Sequence, residues 1–234
     1  MSVLVGTSGY NYEEWKGTFY PEDLSAKKML AYYADRFDTV EINYSFYRKP
    51  TPKLLQGWSS QVPPRFRFGL KCWNRITHQK RLREAGELVA AFAEAARTLG
   101  PQLAPVLVQL PPNLKADEVL LREFLTLWPR DLKTAFEFRH STWFADPIFA
   151  ALKDFGAALC IAESEELATP VVRTADFAYF RLRRMDYDEA ALRKWAEIVR
   201  AGAGDSFVYF KHEDSGMGPK LGNAFRGMLA ASPA

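Results

Sequence analysis

The feature that most constrains the fold is a set of short segments in which apolar and polar residues alternate. They are residues 39–43, 67–71, 106–109, 135–139, 160–163, 179–183 and 208–211, and most of them end in a charged or amide side chain. Alternation with a period of two predicts a β-strand that has one polar face. Helix-like stretches separate most of the segments, which predicts a parallel sheet.

Parallel strands that are covered on both faces normally show continuous apolar runs, so the polar positions need an explanation. A closed barrel with helices outside and a polar interior reconciles the two patterns. We therefore predict an α/β fold, a single (β/α)8 TIM-type barrel over residues 1–234, irregular between strands six and seven, where residues 163–176 show no helical pattern. The length suits this fold, whose usual size is about 250 residues.

Because successive strand residues point to opposite faces, the alternation assigns each residue to a side of the sheet. Apolar positions such as Val40, Phe68, Phe136 and Phe180 are expected to pack under the helices. The polar positions are expected inside the barrel, near the C-terminal rim where barrel enzymes keep their active sites. These inward positions are Glu41, Asn43, Lys71, Gln109, Glu137, Arg139, Arg181, Arg183 and Lys211.

Composition narrows the class of protein. With 48% hydrophobic and 25% charged residues, the chain is typical of soluble globular proteins, and its net charge of +3 is below that of a dedicated nucleic-acid binder. No stretch approaches the roughly 20 apolar residues of a membrane span, and the start lacks a signal-peptide pattern. Cys72 and Cys160 form no metal-binding spacing. We expect a cytoplasmic protein with reduced thiols, no membrane association and no protein partner that the sequence identifies.

The densest group of chemically active residues lies at the end of the fifth predicted strand. Glu137 and Arg139 share the inward face, and His140 takes the first loop position. Together they can supply a base, an anion contact and a proton shuttle. The alternative is that Glu137 forms an ion pair inside the barrel while His140 lies on the surface.

Glu41 is a second inward carboxylate, on the second strand and nearly opposite Glu137. A cation or a substrate can bridge the two carboxylates; alternatively each neutralises a neighbour such as Lys71 or Arg181. All three histidines, His78, His140 and His212, follow strand ends, which is compatible with a metal site. The local spacing does not support one and nearby cations repel a metal ion, so we expect neither metal nor cofactor.

The cationic inward residues outnumber the carboxylates. A narrow mouth of low dielectric constant focuses their potential, and guanidinium groups favour phosphate or carboxylate. We therefore expect a small anionic ligand, although some of the cations must balance Glu41 and Glu137. The expected ligand-binding residues are Asn43, Lys71, Gln109, Arg139, Arg181 and Lys211, and the expected catalytic residues are Glu41, Glu137 and His140.

Aromatic residues gather in the predicted rim loops. They are Tyr10, Tyr12, Trp15, Tyr44, Phe46, Tyr47, Trp73 and Trp143. With Arg48 and Lys49 they can stack on a base or a sugar ring, which makes nucleic acid one candidate partner. The alternative is that they pack the long loops against the barrel.

Several motifs, taken together, resemble a known family. They are Gly6-Thr7-Ser8-Gly9-Tyr10, Trp15-Lys16-Gly17, Phe19-Tyr20-Pro21, Val40-Glu41-Ile42-Asn43, Phe46-Tyr47-Arg48-Lys49-Pro50, Phe68-Gly69-Leu70-Lys71, Thr77-His78, Gln109-Leu110-Pro111-Pro112, Glu137-Phe138-Arg139-His140 with Trp143, and Tyr179-Phe180-Arg181-Leu182. This set resembles the domain of unknown function 72 family, the YecE-like proteins, over essentially the whole chain. The resemblance implies a TIM-type barrel and does not imply a reaction.

The resemblance also implies a set of distinctive polar residues. These fall at Glu41, Asn43, Lys71, Gln109, Glu137, Arg139, His140 and Arg181. The chain departs from the family pattern at Arg183-Arg184, where many relatives have His-Gly, and after strand eight at Lys211-His212-Glu213-Asp214, where many have an Asn or Asp pair. Both departures add basic character to the rim.

Three functions therefore follow from the sequence. The first is an enzyme that applies acid–base chemistry to an anionic substrate, phosphorylated or derived from nucleic acid, with Glu137 or Glu41 as the base and His140 as the proton shuttle. The second is a non-catalytic module that binds an anion or a nucleic acid. The third is a hydrolase that depends on a divalent metal. A barrel fold by itself does not decide among them.

Overall fold

The computed structural model describes residues 2–231, and eight parallel strands in this range form a barrel. The strands are β1 (Val3–Ser8), β2 (Thr39–Ile42), β3 (Arg67–Leu70), β4 (Val106–Gln109), β5 (Thr134–Glu137), β6 (Ala158–Glu163), β7 (Phe177–Leu182) and β8 (Asp205–Phe210). Hydrogen bonds join them in the order β3-β2-β1-β8-β7-β6-β5-β4. The predicted TIM-type barrel is confirmed.

The barrel closes between β3 and β4 through two isolated bridges rather than a continuous ladder. Phe68 pairs with Leu103, and Lys71 pairs with Leu107. The amide of Ala104 donates to the Phe68 carbonyl at 2.9 Å, and the amide of Cys72 donates to the Leu107 carbonyl at 2.8 Å. This seam brings the end of β3, and with it Lys71, against the interior.

Helices cover the outside of the sheet. They are α1 (Ala26–Ala34), α2 (Tyr44–Tyr47), α3 (Pro52–Ser59), α4 (Gly86–Ala96), α5 (Glu118–Leu127), α6 (Asp146–Asp154), α7 (Glu189–Arg200) and α8 (Met217–Ala230). The side chains of Asp117 and Asp188 cap α5 and α7 by accepting the amides of Leu120 and Ala191. No helix among residues 2–231 is long and apolar enough to cross a membrane.

The two faces of the strands separate as the alternation predicts. Val40, Phe68, Phe136 and Phe180 are buried between the sheet and the helices. A separate cluster fills the barrel itself and includes Leu107, Ala135, Cys160, Tyr179, Phe207 and Tyr209. The apolar interior lies below the polar residues, so the charged groups form a layer between this cluster and the mouth.

Two connections that shape the mouth differ in how well the sequence anticipates them. The stretch 164–176 forms no helix, which confirms the predicted irregularity between β6 and β7. The predicted rim loop at 44–50 instead begins with the single helical turn α2. Its Ser45 hydroxyl donates to the carbonyls of Ile42 and Lys71, at 3.0 and 2.7 Å, and so ties this turn to the ends of β2 and β3.

Candidate functional site

A buried ion-pair network lies across the barrel below its C-terminal mouth. Arg181 on β7 is 1% exposed, and Glu41 on β2 and Glu137 on β5 are both 0% exposed. The guanidinium of Arg181 donates through Nη2 to Glu41 Oε1 at 2.7 Å and through Nη1 to Glu137 Oε2. A cation from the protein itself thus bridges the two inward carboxylates.

Hydrogen bonds occupy both oxygens of Glu41. Its Oε1 also accepts the Ser8 hydroxyl at 2.5 Å, and its Oε2 accepts the Tyr179 hydroxyl at 2.6 Å. Ser8 is within reach because the register of β1 and β2 places it directly opposite Glu41. Asn43 joins the same network, since its amide donates to the Ser8 oxygen at 3.1 Å. Glu41 is therefore a fixed acceptor at the floor of the mouth.

Glu137 is held in a similar way. The register of β4 and β5 places Gln109 opposite it, and the Gln109 amide donates to Glu137 Oε1 at 2.7 Å. Arg183 Nη1 lies 3.4 Å and Arg139 Nη1 lies 3.8 Å from the same oxygen. Burial acts to raise the pKa of Glu137, but Arg181 and Arg183 outweigh it and hold the pKa at about 2. The carboxylate is ionised at neutral pH and is a weak base.

Lys71 is in a different environment from the other cations. Its ammonium nitrogen lies 4.0 Å from the centre of the Phe46 ring, a cation–π contact, and no carboxylate oxygen in residues 2–231 lies within 4.0 Å of it. Burial and the positive charge of Arg181 lower its pKa to about 8, against an opposing effect of Glu137. Both protonation states of this amine are accessible near neutral pH.

Three further cations surround the mouth above this network. The side chains of Lys211, Arg183 and Arg139 are 34%, 17% and 25% exposed. Lys211 lies 3.8 Å from a Glu213 oxygen, and burial lowers the pKa of both Lys211 and Arg183. The Nε of Arg183 is buried and has no hydrogen-bond partner among the described residues. Together with Lys71, these groups place positively charged hydrogen-bond donors at the mouth of the barrel.

His140 lies at the rim, but the structure does not join it to Glu137. Its Nδ1 lies 3.0 Å from the Thr142 hydroxyl and accepts the Thr142 amide at 3.3 Å. The ring thereby caps the short turn Ser141–Trp143. Among the hydrogen bonds of the described residues, none links His140 to either inward carboxylate, so a shuttle role requires a substrate or water between them.

The other two histidines also contact loop residues rather than the inward carboxylates. His78 contacts the Thr77 hydroxyl at 2.9 Å, and the His212 Nε2 contacts the Arg184 carbonyl. Within residues 2–231, no group of three or more His, Cys, Asp or Glu side chains is arranged to hold a metal ion. The guanidinium of Arg181 already occupies the space between the two inward carboxylates.

Most of the predicted site residues converge. One hydrogen-bonded or ion-paired network includes Asn43, Glu41, Gln109, Glu137, Arg139, Arg181 and Arg183. Ser8 and Tyr179, which were not among the predicted site residues, donate the remaining hydrogen bonds to Glu41. A signal for both exists: Tyr179 lies two residues before Arg181 on the inward face, and Ser8 belongs to the first motif of the family pattern.

Two of the rim aromatics serve packing. Trp15 and Trp143 are fully buried. The Trp143 ring stacks on Phe138 with centroids 4.6 Å apart, and the Trp15 indole donates to the Glu213 carbonyl at 2.9 Å. For these two residues the alternative of loop packing is the better interpretation, whereas Tyr10, Tyr12 and Tyr44 are partly exposed and line a cleft.

Known proteins share the sequence pattern of this chain. A family model described as "Protein of unknown function DUF72" matches residues 4–234. The UPF0759 protein YecE of Escherichia coli K12 is 33% identical over 117 residues, which cover 50% of this chain and 43% of that protein. The UPF0759 protein YunF of Bacillus subtilis is 26% identical over 161 residues, which cover 65% and 56%. The chain spans about half the length of these curated relatives.

Solved structures agree over the full length. A DUF72 family protein from Thermotoga maritima superposes with a TM-score of 0.88 and 26% identity, covering 99% of this chain and all of that one. A DUF72 family protein from Enterococcus faecalis superposes with a TM-score of 0.83, covering 99% and 97%, and its 19% identity shows the fold alone. The resemblance inferred from the motifs is confirmed, and the chain belongs to the DUF72 family.

Proposed function

We propose that the protein is an enzyme that binds a small anionic substrate at the C-terminal mouth of the barrel and transfers a proton through Lys71. The observation that carries this proposal is the position of Lys71. Its amine lies over the Phe46 ring at the mouth, and no carboxylate oxygen of residues 2–231 lies within 4.0 Å of it, so burial lowers its pKa more than Glu137 and Glu41 raise it. A group with a pKa near the working pH is the most effective general acid or base.

The charge of the mouth supports an anionic substrate. Glu41 and Glu137 carry two negative charges, and Arg181 offsets one of them. Four cations, at Lys71, Arg139, Arg183 and Lys211, then face the one remaining charge and Glu213. Buried guanidinium groups that retain free donors favour phosphate or carboxylate oxygens.

The same geometry revises the roles expected for the carboxylates. From the sequence, Glu137 or Glu41 was expected to be the base. Glu137, whose pKa is about 2, accepts a proton poorly at neutral pH. Both oxygens of Glu41 already accept hydrogen bonds from Ser8, Tyr179 and Arg181. We therefore assign Glu41 and Glu137 to the positioning of Arg181. His140 remains a proposed proton shuttle, at the rim rather than against Glu137.

The two alternative functions are a binding module without catalysis and a metal-dependent hydrolase. A binding module without catalysis uses the same cations, and the Lys71→Arg variant distinguishes it from the enzyme. Arginine keeps the charge and does not release a proton, so it retains anion binding and abolishes proton transfer. A metal-dependent hydrolase is less well supported, because the ion would have to displace Arg181 from both carboxylates.

We also propose that the protein works in a reducing compartment such as the cytoplasm. Cys72 and Cys160 are both buried free thiols. Free buried thiols are typical of proteins from reducing compartments. Their burial raises the pKa of both groups and keeps them in the unreactive thiol form.

The anion site predicts a thermal shift that depends on Lys71 and Lys211. Phosphate or sulfate should raise the melting temperature of the wild type, since a ligand at 100 times its Kd stabilises the native state by about 2.7 kcal/mol. Lys71→Met and Lys211→Met should reduce the rise at least by half, because each removes a cation from the mouth. Differential scanning calorimetry in chloride of equal ionic strength measures the effect.

Lys194→Met is the matched control, since Lys194 is exposed on α7, outside the mouth. It should keep the full rise. Equal rises in all four proteins, or no rise beyond that seen with chloride, would contradict an anion site at the mouth.

A further inference from the structure

An aromatic cleft opens beside the cationic mouth. It has a volume of about 390 Å³ and lies between the loop that follows β1, the turn α2 and helix α3. Its lining includes Tyr10, Tyr12, Asn43, Tyr44, Leu54 and Trp58. Small-molecule sites have volumes of about 300–1,000 Å³, aromatic walls and few polar groups, so this cleft has the size and lining of one.

The cleft adjoins Lys71. Asn43 follows Ile42, the register partner of Leu70, so it lies across from Lys71 on the neighbouring strand. The turn α2 separates the two places: Tyr44 faces the cleft and contacts Trp58, with ring centroids 5.9 Å apart, while Phe46 lies under the Lys71 amine. Two side chains of one short turn thus contact the cleft and the Lys71 amine.

The aromatic rings here keep exposed surface, although Tyr10, Tyr12 and Trp58 also pack against the core. Tyr44 is 43% exposed, and Tyr10, Tyr12 and Trp58 are each partly exposed, unlike the fully buried Trp15. Flat walls of this kind contribute most when they stack on another flat ring. The Asn43 amide, which reaches the buried network through Ser8, adds a polar group between the cleft and the mouth.

We propose that the ligand of the mouth is an anion that carries a planar aromatic ring, with the anionic group at Lys71 and the ring in this cleft. The inference rests on the proposed function, because the mouth supplies the anion contact. It adds the chemical class of the ligand: an aryl phosphate, a nucleotide or an aryl carboxylate fits, whereas a bare anion leaves the cleft empty.

The test compares three probes by isothermal titration calorimetry: inorganic phosphate, phenyl phosphate and cyclohexyl phosphate. The wild type should bind phenyl phosphate at least about fivefold more tightly than inorganic phosphate, the low end of what stacking on an aromatic side chain contributes. Cyclohexyl phosphate should fall between them, because it fills the cleft without a flat ring.

Substitutions in the cleft should remove this preference and leave inorganic phosphate unaffected. Trp58→Leu and Tyr44→Leu should each bring the two affinities to within about twofold of each other. Trp58 also packs against Phe68, so the more exposed Tyr44 provides the variant that keeps the fold. Tyr47→Leu is the control, since Tyr47 belongs to the same turn, is 69% exposed and lies outside the cleft.

The outcomes separate the two proposals. A preference for phenyl phosphate that persists in both cleft variants, or its absence in the wild type while inorganic phosphate binds, overturns the ring assignment and leaves the anion site standing. Inorganic phosphate binding that is unchanged by Lys71→Met overturns the anion site itself, and with it the placement of the ligand.

Discussion

At the scale of single residues, the molecule depends on one arginine shared by two buried acids. Arg181 contacts both Glu41 and Glu137, and all three are almost completely shielded from water. Breaking a buried ion pair by removing one partner costs about 3–5 kcal/mol, because a charge is left without compensation. This network therefore contributes to folding as well as to the charge of the mouth.

Glu137→Gln should destabilise the protein by about 3 kcal/mol at pH 7, the lower end for a broken buried pair, because Glu41 still holds Arg181. The sign of the pH dependence also follows. The folded pKa of about 2 is below the usual value of 4.5, so this stabilisation is present above pH 4.5 and is lost as the pH falls towards 2. Urea unfolding across this range should show a smaller loss in the variant than in the wild type.

The exposed Glu213→Gln variant is the control and should unfold like the wild type. If Glu137→Gln is as stable as the wild type and still loses turnover once a substrate is found, Glu137 is catalytic rather than positioning.

Lys71→Met should stabilise the protein at pH 7. Because the folded pKa of Lys71 is about 8 and its usual value is 10.5, the charged amine is disfavoured in the folded state. The penalty is fully present below pH 8 and disappears as the pH rises to 10.5. We expect a gain of about 1–2 kcal/mol at pH 7, less than the full shift implies because part of the side chain reaches solvent.

Unfolding in a buffer free of phosphate and sulfate measures this gain, and the difference from the wild type should close between pH 8 and 10.5. A gain of the same size in Lys194→Met would show that the effect is one of overall charge and not of the site.

At the scale of secondary-structure elements, the close approach of β1 and β2 positions Ser8 against Glu41. Gly6 makes this approach possible, since a Cβ at Gly6 would lie 2.0 Å from the Thr39 carbonyl oxygen. That oxygen belongs to the backbone of the neighbouring strand and cannot rotate away. A side chain at residue 6 would push β1 away from β2. It would thereby weaken the contact between Ser8, at the C-terminal end of β1, and Glu41.

Gly6→Ala should therefore destabilise the protein by about 1–3 kcal/mol or more, as overpacking does. Gly57→Ala is the matched control, because Gly57 lies within α3 and a Cβ there would meet no atom within 4 Å. It should stabilise by about 0.5–1 kcal/mol, since alanine favours the helix. Thermal unfolding of both variants checks the pair; equal effects would mean that β1 can shift without cost.

The elements show which parts of a barrel can be predicted from sequence. The strand ends were predictable because a helix-covered outside and a polar layer inside, near the mouth, impose a period of two on residues such as Glu137 and Arg139. Deeper in the barrel the inside is apolar, as at Leu107 and Phe207. The turn α2 was not predicted; its Ser45 hydroxyl contacts the carbonyls of Ile42 and Lys71, and the second of these contacts joins residues that are distant in sequence. Helix propensity, which depends on neighbouring residues, does not report a contact with a residue as distant as Lys71.

At the scale of the whole molecule, the inward direction of the site residues was predictable, whereas the pairing of the two acids with Arg181 was only one of the alternatives that the sequence left open. The alternation placed Glu41, Glu137 and Arg181 inside the barrel. Strand register and the closure between β3 and β4 determine which acid each cation contacts. They place Arg181 against both acids, whereas Lys71 has no carboxylate oxygen of the described residues within 4.0 Å. The pairing of Glu137 with His140 was expected from proximity in sequence, whereas the backbone turn after β5 directs His140 to Thr142.

The buried layer and the rim of the barrel should differ in how well they tolerate substitution. The ion pairs of Arg181 with Glu41 and Glu137 do not tolerate single substitutions, because removing one partner leaves a buried charge unpaired. The outermost residues of the cleft and the mouth, such as Tyr44 and Lys211, are open to solvent in part. Substitutions at the rim can therefore change which ligand binds, while the buried ion pairs keep the barrel folded. A library of variants confined to such rim residues should yield folded proteins with altered ligand specificity.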